Sequence, residues 1–401
     1  MNPNTENDIL QTLCHHLPNR AVGSEGNRMA TAFFEQEIKA LGWETETPWF
    51  DAVDWNDGGA SLRVGEEPFE ALVSPYSPGC EVEAVLVEAS TVEALEALDA
   101  RGKIVLLHGE LAQEQLMPKG FVFYNPESHQ RIVALLENSG AAVLVCATGR
   151  NAALAGGVYP FPLIEDGDFD VPSVYMTEEE GARLLPFAGQ TAALRSVSER
   201  IPGKGCNVIA RKGNPEGKRI VLTAHIDAKK GTPGAIDNAT GVATLLLIAD
   251  LLKDYRGEHL LEIVAFNGED YYAVSGQMQY VWANQGRFDS ILLNINFDGL
   301  GYKEGMSAVS YYEMPDELLE KARAVFSRHP AISEGPPWPQ GDHSIFVQFG
   351  CPAIAFTSEW FSENINDQDI THTPKDNLSI VAPERLPEVA RAVAELALQL
   401  G

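Results

Sequence analysis

Residues 219–252 read RIVLTAHIDAKKGTPGAIDNATGVATLLLIADLL. The first six, RIVLTA, are mostly apolar and β-branched, as expected of a strand covered on both faces. A loop rich in Gly, Asp and Lys follows, and then an apolar stretch of helical length, Val242 to Leu252, interrupted only by Asp250. Strand, loop and helix make one unit of an α/β sheet, and the unit recurs downstream. LEIVAF (261–266) precedes the helix-like SGQMQYVWANQ, and ILLNINF (291–297) precedes Asp298. The helix-like DELLEKARAVF, the strand PAIAFTS and a last helix from about Pro383 to Leu400 complete the series. This alternation predicts a mixed, mostly parallel sheet flanked by helices on both faces.

Working towards the amino terminus, RIPGKGCNVIARKGNPEGK (200–218) is dense in Gly and basic residues. It reads as a domain boundary followed by a hairpin turn at Gly213 to Gly217. Before it lies a second alternating series: VEAVLV, GKIVLLHG, the helix-like QRIVALLENSGA, AAVLVCAT, VPSVYMT and the helix-like EEEGARLL. These predict a smaller α/β domain over residues 52–200, inserted into a larger one formed by 1–51 and 201–401. Near the start, GSEGNRMATAFFEQEIKALGWE spaces Met29, Phe33, Phe34, Ile38 and Leu41 as one helical face, with Ser24 as the cap and Gly42 as the stop.

Composition narrows the function. Of 401 residues, 45% are hydrophobic and 21% charged, the balance of a folded globular chain. Acidic residues number 57 against 29 basic, a formal charge of −28, which repels phosphate backbones and anionic lipid surfaces. Nucleic acid is therefore not an expected partner. No apolar run reaches the eighteen or so residues of a membrane span, so no membrane partner is expected either. MNPNTENDILQTLCHH lacks the basic and apolar regions of a secretory signal, which predicts a cytoplasmic location. The five cysteines are widely spaced without a C-x-x-C, which favours buried thiols over disulfides or a metal cluster.

In open α/β sheets functional groups gather beyond the carboxyl ends of the strands. Those ends carry His225 and Asp227 after RIVLTA, Asp237 in the next loop, Glu269 and Asp270 after LEIVAF, Asp298 after ILLNINF, and His372 in THTPKDN. Each alone has a plain explanation, as a helix cap, a turn residue or a solvated charge. Together they form a histidine and carboxylate set without thiolate, which suits zinc or a similar divalent ion. Five ligands exceed one tetrahedral zinc with an open position but suit two metals sharing a carboxylate, a site built for hydrolysis. No G-x-S-x-G, no H-E-x-x-H and no cysteine paired with histidine offers another route.

The ordered set HID, GAIDNATG, NGED, NFDG and HTPKDN resembles the two-zinc exopeptidase family of bacterial aminopeptidases and glutamate carboxypeptidase. The resemblance implies two zinc ions, other divalent metals being admissible. His225 and Asp298 would serve the first metal, Asp270 and His372 the second, and Asp237 both. Glu269 would be the general base. Asp227 and Asp376 would accept the second ring N–H of a liganding histidine. Asn238 would help aim Asp237. Within GDHSIFVQFGCPAIAFTSE, His343 is the candidate substrate-binding residue. The insert resembles a protease-associated domain. The implied activity is removal of N-terminal residues from short peptides. Alternatives are a carboxypeptidase or glutaminyl cyclase of the same fold, or a receptor-like homologue without catalysis. Two positions depart from the family: Asp270 where many members have Glu, and Thr371 where several active members have an oxyanion-stabilising Tyr. His343, Tyr271, Tyr272, Tyr311 and Tyr312 are the candidates to replace that donor.

Overall fold

The computed structural model describes residues 6–17, 19–121, 125–150, 158–271, 275–339, 341–365 and 368–401. Its chain divides into two compact units, Met1–Ala52 with Lys204–Gly401, and Val53–Gly203.

The larger unit is built on an eight-stranded sheet. Its strands are β1 (Glu44–Glu46), β2 (Val208–Gly213), β3 (Arg219–His225), β4 (Leu260–Phe266), β5 (Ile291–Phe297), β6 (Ser307–Tyr312), β7 (Ile332–Glu334) and β8 (Ala353–Ser358). They lie in the order β1-β2-β4-β3-β5-β8-β6-β7. The central strands β4, β3, β5 and β8 run parallel, while β1/β2, β2/β4 and β8/β6 are antiparallel. Parallel neighbours bring their carboxyl ends to one rim, so His225 sits in register with Phe266 at the end of β4. The turn at Gly213 to Gly217 does not make the expected hairpin. β2 and β3 both pair with β4, which lies between them, so the turn crosses over a strand.

The helices of this unit include α1 (Glu25–Ala40), α2 (Thr240–Leu251), α3 (Ser275–Ala283), α4 (His343–Gln348) and α5 (Leu386–Leu400). Helix α1 starts where expected: the Ser24 hydroxyl accepts the Asn27 amide at 3.0 Å. It ends before Gly42, whose φ of 76° suits a residue without Cβ. Its buried face is Ala30, Phe34 and Ile38 together with Asn27 and Thr31, whereas Met29, assigned to that face from spacing, is 52% exposed. With 3.6 residues per turn, Met29 falls on the opposite side of the helix from Asn27, Thr31, Phe34 and Ile38.

The two faces of the sheet differ in chemistry. Ile220, Leu222, Ala224, Ile263, Ala265, Ile295 and Phe297 pack into one apolar cluster with α2 and α5. Across the sheet a polar layer is buried. The Thr223 hydroxyl donates to Asn296 Oδ1 at 2.8 Å, and Glu262 binds Arg211 at 2.7 Å, Arg219 at 3.3 Å and the Tyr280 hydroxyl at 2.7 Å.

The second unit has its own eight-stranded sheet, in which Cys80–Ala89, Ile104–Leu107, Val143–Thr148 and Ser173–Thr177 run parallel in that order. Its two sides alternate as strands require. Val105 and Leu107 pack with Ile132, Val133 and Leu136 of the helix Glu127–Asn138, and Ile104 and Leu106 face Leu62 and Leu184. RIPGKGC, read as boundary, contains the division between the two units, at Gly203 and Lys204, and is at the same time the end of a long strand, Thr191–Cys206. Of the cysteines, Cys14, Cys146, Cys206 and Cys351 are buried, Cys80 is half-buried, and all five are free thiols. Among the described residues no helix is long and apolar enough to cross a membrane.

Candidate metal centre

The rim formed by β3, β4, β5 and β8 collects the histidines and carboxylates singled out above. His225 ends β3, and Asp237 lies in the turn Ala235–Ala239 just before α2. Glu269 and Asp270 follow β4, Asp298 follows β5, and His372 lies in the chain after β8. His225 Nε2 is 3.2 Å from Asp237 Oδ1 and 3.6 Å from Asp298 Oδ1. His372 Nε2 is 3.2 Å from Asp237 Oδ2 and 3.0 Å from Asp270 Oδ1. The carboxylate of Asp237 thus turns one oxygen to each imidazole, and each imidazole has a second carboxylate of its own.

These groups converge without satisfying one another. His225 Nε2 is buried near two carboxylates yet hydrogen-bonded to neither, and Asp270 Oδ2 is a buried oxygen without a hydrogen-bond partner. Ligand atoms of His225, Asp237 and Asp270 all lie within 4.8 Å of one another. Orphaned atoms of this kind are costly unless a cation completes them, so the donor set fits divalent metal. Protons fill the same need in its absence. Burial pushes the His372 imidazole down, but Asp270 and Asp237 outweigh it and raise its pKa to about 10. Burial opposes the charge of His225 as well, and Asp298 and Asp237 raise it well above the usual value. Asp237 is held well below the carboxylate range by the two imidazoles, against the effect of its burial.

The carboxylates behind the ligands grip backbone. His225 Nδ1 meets the main-chain oxygen of Asp227 at 3.2 Å, with the carboxylate at 3.8 Å. The Asp227 side chain accepts instead from the amides of Gly268, at 2.9 Å, and Asp270, at 3.1 Å. Asp376 is fully buried and accepts from the amides of Ile236, at 2.8 Å, and Asp237, at 3.1 Å. The expected acceptance of a ring N–H by Asp376 is therefore corrected, since both its oxygens are taken by the Asp237 turn. In each case an aspartate following one histidine in sequence fixes the backbone of a different carboxylate. Asn238 links a third pair: its amide donates to the Phe297 oxygen, next to Asp298, at 2.7 Å, and its oxygen accepts from Gly241 at 3.0 Å.

His372 has a φ of 62°, a left-handed conformation uncommon outside glycine, and a glutamine holds the turn around it. Gln368 Oε1 accepts from the amides of Ile370 and Thr371 at 2.8 and 3.0 Å, and its Nε2 donates to the Thr371 hydroxyl at 2.7 Å. Sequence reading missed Gln368 because nothing in its spacing distinguishes it from a surface residue. Arg20 was missed too; it is buried and bonded to the backbone at Ile226 and Gly234.

Glu269 is half-buried at the rim. Burial raises its pKa well above the usual range; His225 works against this, and Asp298, Asp270 and Asp342 add to it. Asp342 is fully buried, with Oδ1 accepting from Gln277 at 2.6 Å and Oδ2 unpartnered. His343 is 1% exposed, its Nε2 lies 3.1 Å from the Trp338 oxygen, and burial pushes its pKa down to about 4. It is neutral at pH 7 and enclosed between Tyr312 and Trp338 rather than offered to a substrate. The Tyr312 hydroxyl exchanges two hydrogen bonds of 2.8 Å with the Trp338 backbone, and that of Tyr271 donates to Ala228 at 3.0 Å. Tyr311 packs its ring against the Arg323 guanidinium. Tyr272 lies outside the described residues.

A family model for peptidase family M28 matches residues 207–397. That stretch belongs to peptidase family M28. The M28 stretch contains every candidate ligand from His225 to His372. Probable leucine aminopeptidase 2 of Aspergillus oryzae is 22% identical to this chain over 288 residues, which are 70% of this chain and 54% of that protein. The chain therefore spans about half the length of the curated relatives it matches. Among solved structures, the aminopeptidase from Aneurinibacillus sp. strain AM-1 superposes with a TM-score of 0.75 at 22% identity, over 99% of this chain and 94% of that one. BSAP, a zinc aminopeptidase from Bacillus subtilis, gives 0.73 at 18% identity, over 99% and 95%. These likenesses are of fold, over nearly the whole of this chain.

Proposed function

We propose that this protein is a metal-dependent aminopeptidase that removes N-terminal residues from short peptides. The observation that carries the reading is the carboxylate of Asp237, with one oxygen 3.2 Å from His225 and the other 3.2 Å from His372. His225, Asp237 and Asp298 would hold one zinc ion, and Asp237, Asp270 and His372 the other. When bound, such a pair supplies a water acidified towards neutral pH and positive charge for the developing oxyanion. The aminopeptidase names of its M28 relatives support the same reading.

The remaining chemistry belongs to the chain. Glu269 takes the proton of the attacking water onto a carboxylate oxygen and returns it to the nitrogen of the leaving amine. In the metal-free chain its burial beside Asp298, Asp270 and Asp342 raises its pKa; the charge of two bound metals would act the other way and favour the carboxylate that accepts the proton. Asp227 and Asp376 keep the turns of Asp270 and Asp237 in place. The acidic rim favours a substrate whose free ammonium lies next to the scissile bond.

Hydrolysis of an aminoacyl-nitroanilide, together with metal content, tests the reading. Turnover is expected to need the free amine and to stop when it is acetylated, with two zinc ions per chain. Release of residues from the carboxyl end of N-blocked peptides would refute an aminopeptidase, and one metal per chain would favour the cyclase alternative.

A further inference from the structure

Arg20 is among the largest side chains with almost no exposure, at 1%. A guanidinium taken from water must recover its hydration through hydrogen bonds. Arg20 does so on main-chain oxygens. Nε donates to Ile226 at 2.9 Å, Nη1 to Leu13 and Pro233 at 2.8 Å each, and Nη2 to Gly234 at 2.8 Å. Ile226 lies between His225 and Asp227, and Gly234 lies three residues before Asp237. One rigid fork therefore fastens the backbone behind both residues whose side chains face each other at 3.2 Å.

The Asp237 turn is held from two sides by opposite charges. Arg20 takes the carbonyl oxygens of Pro233 and Gly234, while Asp376 takes the amides of Ile236 and Asp237, and its own main-chain oxygen takes that of Ala235 at 3.3 Å. The approach is close. A Cβ at Gly234, where φ is 59°, would lie 2.7 Å from Arg20 Nη2 and 2.7 Å from the Asp237 oxygen. Such a fit is unnecessary for a residue that only fills space. It is what a residue needs if it sets where a turn sits.

We propose that Arg20 is a positioning residue for the metal pair: by fixing the backbone at Ile226 and Gly234 it sets the separation of His225 and Asp237. The inference rests on the reading of Asp237 as the shared ligand. Lysine keeps the charge but offers one nitrogen instead of a planar fork, and cannot reach four oxygens in this geometry.

Arg20→Lys and Arg20→Met are compared with the wild type and with Ser24→Ala, which removes the neighbouring helix cap without touching either turn. Three quantities are measured on the full chain: zinc affinity by competition with a chromophoric chelator, the rise in Tm on adding zinc, and kcat and KM. The expected result for Arg20→Lys is a folded protein whose weaker zinc affinity falls at least tenfold and whose zinc-induced rise in Tm shrinks. At saturating zinc, kcat should fall while KM stays within about twofold. Ser24→Ala should lower Tm with and without zinc equally. Arg20→Lys that keeps wild-type zinc affinity and the wild-type rise in Tm overturns the proposal, as does Arg20→Lys that fails to fold while Ser24→Ala folds. If instead the wild type does not hold two zinc ions, the two-metal reading fails.

Discussion

Glu269 and Asp270 stand next to each other at the end of a buried strand, and their surroundings differ as their proposed tasks do. Asp270 is anchored, with its amide on Asp227 at 3.1 Å and Oδ1 at 3.0 Å from His372. Glu269 is half-buried beside it, and in the metal-free chain burial raises its pKa well above the usual value. Replacing Glu269 by Gln keeps the shape and removes the proton acceptor. We expect kcat to drop by roughly 10²- to 10⁴-fold, the usual worth of a positioned acid-base group, with metal content unchanged. Equal turnover would remove Glu269 from the mechanism. Asp270→Ala should show the opposite pattern, metal lost first and activity with it, read by metal analysis after dialysis.

Single turns carry the proposed ligands, and what fixes each turn lies far away in sequence. Asp227 holds the Gly268–Asp270 turn through two amides, so Asp227→Asn leaves one of them facing an NH₂ group. Zinc affinity should weaken by about 10- to 100-fold, the scale seen for groups that support ligands from behind. Chelator competition would read it, and wild-type affinity would limit Asp227 to folding. Helix α1 offers a plain stability test. Ser24→Ala should cost about 1 kcal/mol of unfolding free energy through loss of the cap, measured by urea denaturation. The same scale explains what the sequence could convey. Parallel central strands are continuous apolar runs, so their carboxyl ends, and with them His225, Asp237, Asp270 and Asp298, were legible from spacing. Strand order was not: a Gly-Asn-Pro-Glu-Gly turn reads the same whether its flanks pair together or straddle a third strand, as β2 and β3 straddle β4. Arg20 and Gln368 escaped for a related reason. They bind main-chain groups, and for Arg20 these include Ile226 and Gly234, more than 200 positions away. Backbone partners leave no residue type to recognise.

For the molecule as a whole, protons and metal compete for one cluster, and the competition fixes the sign of its pH dependence. In the metal-free protein His372 has a pKa of about 10, raised from 6.5 by Asp270 and Asp237 against its burial. Its ion pairs stabilise the fold fully below pH 6.5, and that contribution is lost as pH rises through the folded value. Asp342 adds a change of the same sign. Burial foremost raises its pKa to about 7 from 3.8, so the folded chain binds more protons than the unfolded one between those values and stability falls as pH rises across them. The metal-free protein should therefore lose stability from about pH 4 towards pH 10. Zinc requires the imidazoles to be neutral, so its binding at pH 7 must release the protons of His225 and His372. Binding enthalpies measured in buffers of different ionisation enthalpy should show that release directly. The stabilisation given by zinc, which follows RT ln(1 + [L]/Kd), should then grow as rising pH removes its competitor. Measured as the difference in Tm between zinc-loaded and chelated protein, the gap should widen from pH 6 to pH 9. A gap that stays constant or narrows would mean that the histidines do not bind the metal.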